Sequence, residues 1–157
     1  MRVLIKVNST DKHIKGLALE ALAYKLMKLI DLDFIQTRLR SEETGGAEVD
    51  LIFESTNLIY SRWQIQCKNS KTVSLEDVAK EVGLTHLLHS NAIVMVGTGV
   101  IGEKARLYAD KIMRESNLCI IMIDGKDLKR IANNPSEIIE VFNRESQRTK
   151  NIKVLER

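Results

Sequence analysis

Apolar side chains recur at helical spacing from Ile14 through Leu17, Ala18, Ala21, Leu22 and Leu26 to Leu29, which predicts a helix over residues 12–30. Ser9, Thr10 and Asp11 stand just ahead of it and offer short oxygen-bearing side chains for its N-cap. The period then changes. From Phe34 to Arg40, Phe34, Gln36 and Arg38 alternate with Ile35, Thr37 and Leu39, as expected of a strand with one wet face. Ser41 to Gly46 reads as a turn, helped by Gly45-Gly46. Val49–Glu54 is a second strand, and Ile59–Lys68 a third, folded back on it through a turn at Ser55, Thr56 and Asn57. Ser74, with Asp77 three residues on, is placed to cap a helix over 74–89. Ala92–Val96 and Leu118–Ile123 are unbroken apolar runs, the pattern of strands covered on both faces. Helices are predicted over 102–116, 126–133 and 136–147, with Pro135 placed for a first helical turn and Asp124-Gly125 turning the chain. RVLIKV at the start reads as a short edge strand or a tail. A helix, a three-stranded meander and then alternating helices and strands predict an α/β fold, one mixed sheet with helices on both faces.

Length supports one domain, with a core over about 12–133 and a C-terminal helix over 136–147. The chain has 24 Lys and Arg against 21 Asp and Glu, for a net charge of +3. That permits a nucleic-acid partner without requiring one. Clusters such as Lys68 with Lys71, or Arg144 with Arg148 and Lys150, are equally consistent with solvated faces. Cys67 and Cys119 lack disulfide-scaffold or metal-site spacing and read as buried free thiols, which suits a cytoplasmic location. No apolar stretch approaches the roughly 20 residues of a membrane span, so no membrane partner is expected.

The informative segment runs from Gly45-Gly46-Ala47-Glu48-Val49-Asp50 to Trp63-Gln64-Ile65-Gln66-Cys67-Lys68. Strand alternation groups Val49, Leu51 and Phe53 on one face, and Asp50, Ile52 and Glu54 on the other. It likewise separates Trp63, Ile65 and Cys67 from Gln64, Gln66 and Lys68. If the hairpin centres near Leu58, Asp50 lies opposite Gln66, with Cβ atoms roughly 4.5–5.5 Å apart. A slip of one residue would separate them. In that register Asp50, the Gln66 amide oxygen and the Cys67 carbonyl can share a hard divalent cation such as Mg²⁺, with Mn²⁺ as a substitute. Lys68 would stand beside it to stabilise developing negative charge, and Glu20 would reach the cation through water. This chemistry fits phosphodiester hydrolysis.

The segment from Glu20 through Gly46 and Asp50 to Gln66-Cys67-Lys68 resembles the Mrr-like branch of the PD-(D/E)XK nuclease superfamily. The resemblance covers roughly residues 14–133. It includes Val94-Met95-Val96-Gly97-Thr98-Gly99 with Ala105, and Ile120–Leu128 with Ile123-Asp124-Gly125. It implies a restriction-endonuclease-like mixed sheet and a Mg²⁺-dependent endodeoxyribonuclease of restriction or defence type. It assigns metal and catalytic roles to Asp50, Gln66 and Lys68, and the helix-acid role to Glu20. DNA is the implied partner, along with a homodimer and a separate DNA-recognition domain or subunit. Glu48, two places before Asp50, departs from the small or polar residue often found there. It is either an extra acid near the metal or an exposed strand start.

Plainer roles stand beside these. Asp50 can be a sheet-edge acid capping a turn or pairing with Lys68, Gln66 an outward polar residue, Lys68 a strand-end lysine and Glu20 a surface residue. Gln64 is DNA-facing or structural. His86 and His89 fit a helix surface or C-cap, and Trp63 fits the core. Thr98 and Lys104 suit either a phosphate contact or an ordinary turn and helix face. A non-catalytic DNA-binding or scaffold module and a junction resolvase or repair nuclease of the same fold are the competing functions.

Overall fold

The computed structural model describes residues 11–39 and 48–154. The RVLIKV segment, Ser9, Thr10 and the Gly45-Gly46 turn lie outside the described residues. Five helices and seven strands follow in the order α1 (Lys12–Leu29), β1 (Asp33–Leu39), β2 (Val49–Ser55), β3 (Ser61–Lys68), β4 (Thr72–Val73), α2 (Leu75–Leu88), β5 (Ala92–Gly97), β6 (Val100–Ile101), α3 (Glu103–Glu115), β7 (Cys119–Ile123), α4 (Gly125–Asn133) and α5 (Glu137–Ile152). The main sheet is ordered β1-β2-β3-β5-β7. β1, β2 and β3 pair antiparallel, while β5 and β7 join in parallel. The predicted mixed α/β sheet is therefore the observed one.

The helices start where local chemistry provides a cap. Asp11 accepts from the amides of His13 at 2.8 Å and Ile14 at 3.3 Å. Ser74 and Asp77 close a reciprocal capping box on α2, and Asp124 with Asp127 does the same on α4. Asp124-Gly125 thus begins a helix as well as turning the chain. His89 ends α2 in the left-handed conformation, the C-cap role expected of it.

Both faces of the sheet are covered, which explains the unbroken apolar runs. Val94, Val96, Ile121 and Ile123 pack with α1, α4 and α5. Their neighbours Ile93, Met95, Ile120 and Met122 pack on the opposite side with Val78 of α2 and Ala105, Ala109 and Met113 of α3. Each strand residue alternates between two apolar layers, so no position needs a polar side chain.

Several expectations need correction. The inward face of α1 is Ala18, Leu19, Leu22, Ala23, Leu26 and Met27, whereas Ile14, Leu17 and Leu29 are exposed. The sheet selects the stripe centred on Leu19, Ala23 and Met27, at i, i+4 and i+8. In β1 a bulge falls between Phe34 and Gln36, so the simple alternation is broken. Val49 packs with Ile52, Leu84 and Leu88, away from the layer holding Leu51 and Phe53. Pro135 precedes the Ser136 cap instead of entering the first turn of α5, and that helix runs to Ile152, five residues beyond its expected end at 147. Cys67 and Cys119 are free thiols but only half-buried. The pair of β4 and β6 has no counterpart in the sequence pattern, because two-residue strands carry no readable period.

Candidate active site

The β2–β3 ladder runs from Leu51 opposite Ile65 to Ser55 opposite Ser61, which centres the connection on Leu58. One step beyond Leu51, Asp50 meets Gln66. The Gln66 Nε2 donates to Asp50 Oδ2 at 2.9 Å, and the Cys67 amide donates to the same oxygen at 2.6 Å. Nε2 also stands 3.5 Å from the Cys67 carbonyl oxygen. One positive-ended N–H group thus sits between a carboxylate and a main-chain carbonyl. Gln66 Oε1 is buried and has no hydrogen-bond partner among the described residues. A buried amide oxygen without a partner is costly, and a ligand at the site would relieve that cost.

Asp50 is 8% exposed. Burial raises its pKa and the Cys67 amide opposes this; Glu20 and Glu48 raise it further and Lys80 lowers it, leaving it pushed up to about 6. Glu20 from α1 therefore acts electrostatically on Asp50. Glu48 is half-buried directly ahead of β2, and its charge adds to the upward push on Asp50. Burial, with Asp50 and Glu20 nearby, also drives the Cys67 thiol well above its usual range, so it remains protonated and poorly nucleophilic.

Lys68 does not pair with Asp50. Its ammonium lies 2.6 Å from Asp77 Oδ1, on the first turn of α2. Asp77 also accepts from the Ser74 amide at 2.9 Å through its other oxygen. Burial alone would raise the Asp77 pKa, but Lys68 and the Ser74 amide outweigh it and hold the carboxyl low. The capping box thus fixes the lysine's partner as well as starting α2.

Gln64 is fully buried and structural. Its Nε2 donates to the main-chain oxygen and to Oε2 of Glu81, each at 3.0 Å. Glu81 is itself fully buried, and desolvation raises its pKa despite Lys80 and Gln64. Lys80 reaches the Glu48 carbonyl at 2.9 Å. Asp77, Lys80 and Glu81 are neighbours of the site that sequence reasoning does not bring to it. A signal exists for Glu81, since it falls among Val78, Leu84 and Leu88 on the inward face of α2.

The remaining candidates separate cleanly. His86 and His89 are exposed. Trp63 packs against the core and donates to Ser61 Oγ at 2.8 Å. Thr98 Oγ1 donates to Asn69 Oδ1 at 3.2 Å, beside the end of β3, while Lys104 is exposed on α3. Among the described residues no three of His, Cys, Asp and Glu converge as a metal cage. The donors that do converge are one carboxylate, one amide and one carbonyl. Exchanging Nε2 and Oε1 by a half-turn of the Gln66 amide would make all three oxygen donors, the set a hard divalent cation prefers.

The family profile described as Mrr_cat, restriction endonuclease, matches residues 12–132. The chain belongs to this family. Three solved structures share its fold. The DNA modification-dependent restriction endonuclease AspBHI aligns with TM-score 0.57 and 16% identity, over 92% of this chain and 38% of its own. The MspJI restriction endonuclease, solved in complex with a 27-mer oligonucleotide, aligns with TM-score 0.50 and 19% identity, over 80% and 28%. The AF1548 protein of unknown function aligns with TM-score 0.52 and 11% identity, over 85% and 94%. The chain thus spans well under half the length of the two restriction enzymes. No curated protein matches its sequence. The fold is the restriction-endonuclease fold. Among the described residues no helix is long and apolar enough to cross a membrane.

Proposed function

We propose that this chain is a catalytic domain of a divalent-cation-dependent endodeoxyribonuclease of restriction type, with Asp50, Gln66 and Lys68 at its centre and Glu20 assisting. The observation that carries this is the meeting of the Asp50 carboxylate and the Cys67 carbonyl at the Gln66 amide, whose Oε1 is buried and has no hydrogen-bond partner among the described residues. Family membership supports hydrolysis of DNA and a general need for a divalent metal. Mg²⁺ is the proposed cation, with Mn²⁺ as substitute.

Asp50, Gln66 Oε1 and the Cys67 carbonyl would hold the cation, and Glu20 would approach it through water. When bound, the cation supplies positive charge against the phosphate oxygens and acidifies water. Lys68 orients the attacking water and donates to the phosphate oxygen on which charge builds. The water oxygen bonds to phosphorus as the bond to the departing sugar oxygen breaks. The water's proton leaves to solvent and the departing oxygen takes one up. Asp77 keeps the Lys68 ammonium in place. Which DNA is cut is left to whatever region or partner reads it, and a homodimer would supply two such centres for two strands.

Relaxation of supercoiled plasmid tests the proposal. The wild-type protein is expected to nick with Mg²⁺ or Mn²⁺ and to stop in chelator. Lys68→Ala is expected to reduce the rate roughly 10²–10³-fold, the loss typical of removing one donor to developing charge. A chelator-resistant rate, or a Lys68→Ala rate equal to wild type, would count against it. The second reading, a non-catalytic DNA-binding module, is favoured by one feature, the tie of Lys68 to Asp77. It predicts DNA binding without nicking under either metal.

A further inference from the structure

Beside the catalytic corner lies a cleft of about 980 Å³ that no step of the proposed hydrolysis uses. Its floor is made where β3, β5 and β7 end, the edge at which ligands collect in parallel α/β sheets. The Thr98 amide donates to the Lys68 carbonyl at 3.0 Å, the Val100 amide to Lys71 at 3.0 Å, and the Gly125 amide to Gly99 at 2.9 Å. These loops lie so close that a Cβ on Gly99 would fall 2.1 Å from the Lys71 carbonyl oxygen. One on Gly125 would fall 2.2 Å from that of Thr98. Only glycine permits both approaches, so the floor is rigid and is joined to the backbone of Lys68 itself.

The walls carry one sign of charge. Lys12 and Lys15 come from α1, Lys71 from the loop after β3 and Lys129 from α4, around the polar side chains of Asn69 and Thr98. No carboxylate is among the described residues that line it. Among the described residues none of these four lysines forms an ion pair. By contrast, Arg106 and Arg144 are neutralised by Glu145 and Asp127, and Arg148 by Asp110. The net charge of +3 is small. Distribution matters more than the total, because four lysines without an ion-pair partner among the described residues line one concave surface at the end of β3.

We propose that this cleft binds the phosphodiester backbone of duplex DNA next to the scissile position, setting affinity without reading sequence. The proposal rests on the nuclease reading and adds the surface that holds the substrate. Lysines on flexible stems above a fixed polar floor suit phosphate contacts, which position a duplex without reading its bases. Base-reading would call for planar bidentate side chains such as arginine, asparagine or glutamine, and Asn69 alone offers that here. Binding through such contacts releases counterions, so its salt dependence counts the lysines engaged.

The test is anisotropy of a labelled duplex of mixed sequence in chelator, across a salt series. Lys15→Gln/Lys129→Gln removes one lysine from each of two walls. Lys111→Gln/Lys150→Gln removes the same charge from α3 and α5, away from the cleft. The cleft pair is expected to lower the slope of log affinity against log salt by about 2, roughly 0.9 for each phosphate no longer neutralised. It should weaken unrelated duplexes equally, while the control pair leaves the slope at its wild-type value. Equal effects of the two pairs, no effect of either, or no duplex binding by wild type would overturn the proposal. So would displacement of DNA by inorganic phosphate at constant ionic strength, which would indicate a pocket for a small anion. Plasmid nicking separates this from the nuclease reading. Normal nicking by the cleft pair at low salt, with an unchanged slope, would sink the cleft alone. A lysine-dependent slope in a protein that never nicks would sink the nuclease reading and leave the cleft standing.

Discussion

Asp50→Asn is expected to abolish cleavage while making the metal-free protein more stable above about pH 6. Burial raises the Asp50 pKa to about 6 from an ordinary value of 3.8. The native state therefore binds more protons than the unfolded chain between those values. Stability in that window falls as pH rises, and the penalty is complete above about 6. Such a rise corresponds to about 3 kcal/mol, an upper figure because the group keeps 8% exposure. Asparagine has nearly the same shape and stays neutral. Both hydrogen bonds to Asp50 converge on Oδ2, so a single amide oxygen there preserves them. The gain should be about 1–3 kcal/mol at neutral pH by urea denaturation in chelator, and should vanish as pH falls below about 4. Cleavage should drop by roughly 10³-fold or more, since the only carboxylate in the converging donor set is gone. A variant less stable than wild type at neutral pH would mean that the charge of Asp50 is already compensated in the resting site.

Glu145→Ala is expected to cost about 3–5 kcal/mol, a large part of a typical domain's stability. Glu145 is 2% exposed on α5. Its Oε2 accepts from Arg106 at 2.7 Å and from the Met122 amide at 3.2 Å, and its Oε1 accepts from Arg144 at 3.1 Å. One carboxylate thus ties α5 to α3 and to β7. Removing it leaves the half-buried Arg106 guanidinium and a buried strand amide without their partner. Chemical denaturation should show a lower midpoint. A loss under about 1 kcal/mol would mean that water replaces the carboxylate at that seam.

Much of the site can be read from the chain because a hairpin is a local structure. The turn residues set a register centred on Leu58, and alternation then puts Asp50 beside Gln66. The capping box at Ser74 is visible for the same reason, since its two partners are three residues apart. The neighbours from α2 are not visible, because Asp77 meets Lys68 only after β3 and α2 have docked. Glu145 sits in the polar run Arg144 to Lys150, which resembles a solvated face. Its burial depends on Arg106 reaching it from far away in sequence. The stripe of α1 is obscured on similar grounds. Ile14 and Leu17 fit a helical period, yet they stay exposed while the core takes Leu19 and Met27 instead.

The central claim is that Asp50 and Gln66 together form a cation site. Calorimetric titration of Mg²⁺ or Mn²⁺ into the metal-free protein at about pH 8, where Asp50 is ionised, tests it most directly. The account predicts one site per chain, weakened at least roughly tenfold in Gln66→Ala and lost in Asp50→Asn. Equal affinity in all three proteins, or no binding by the wild type, would contradict it.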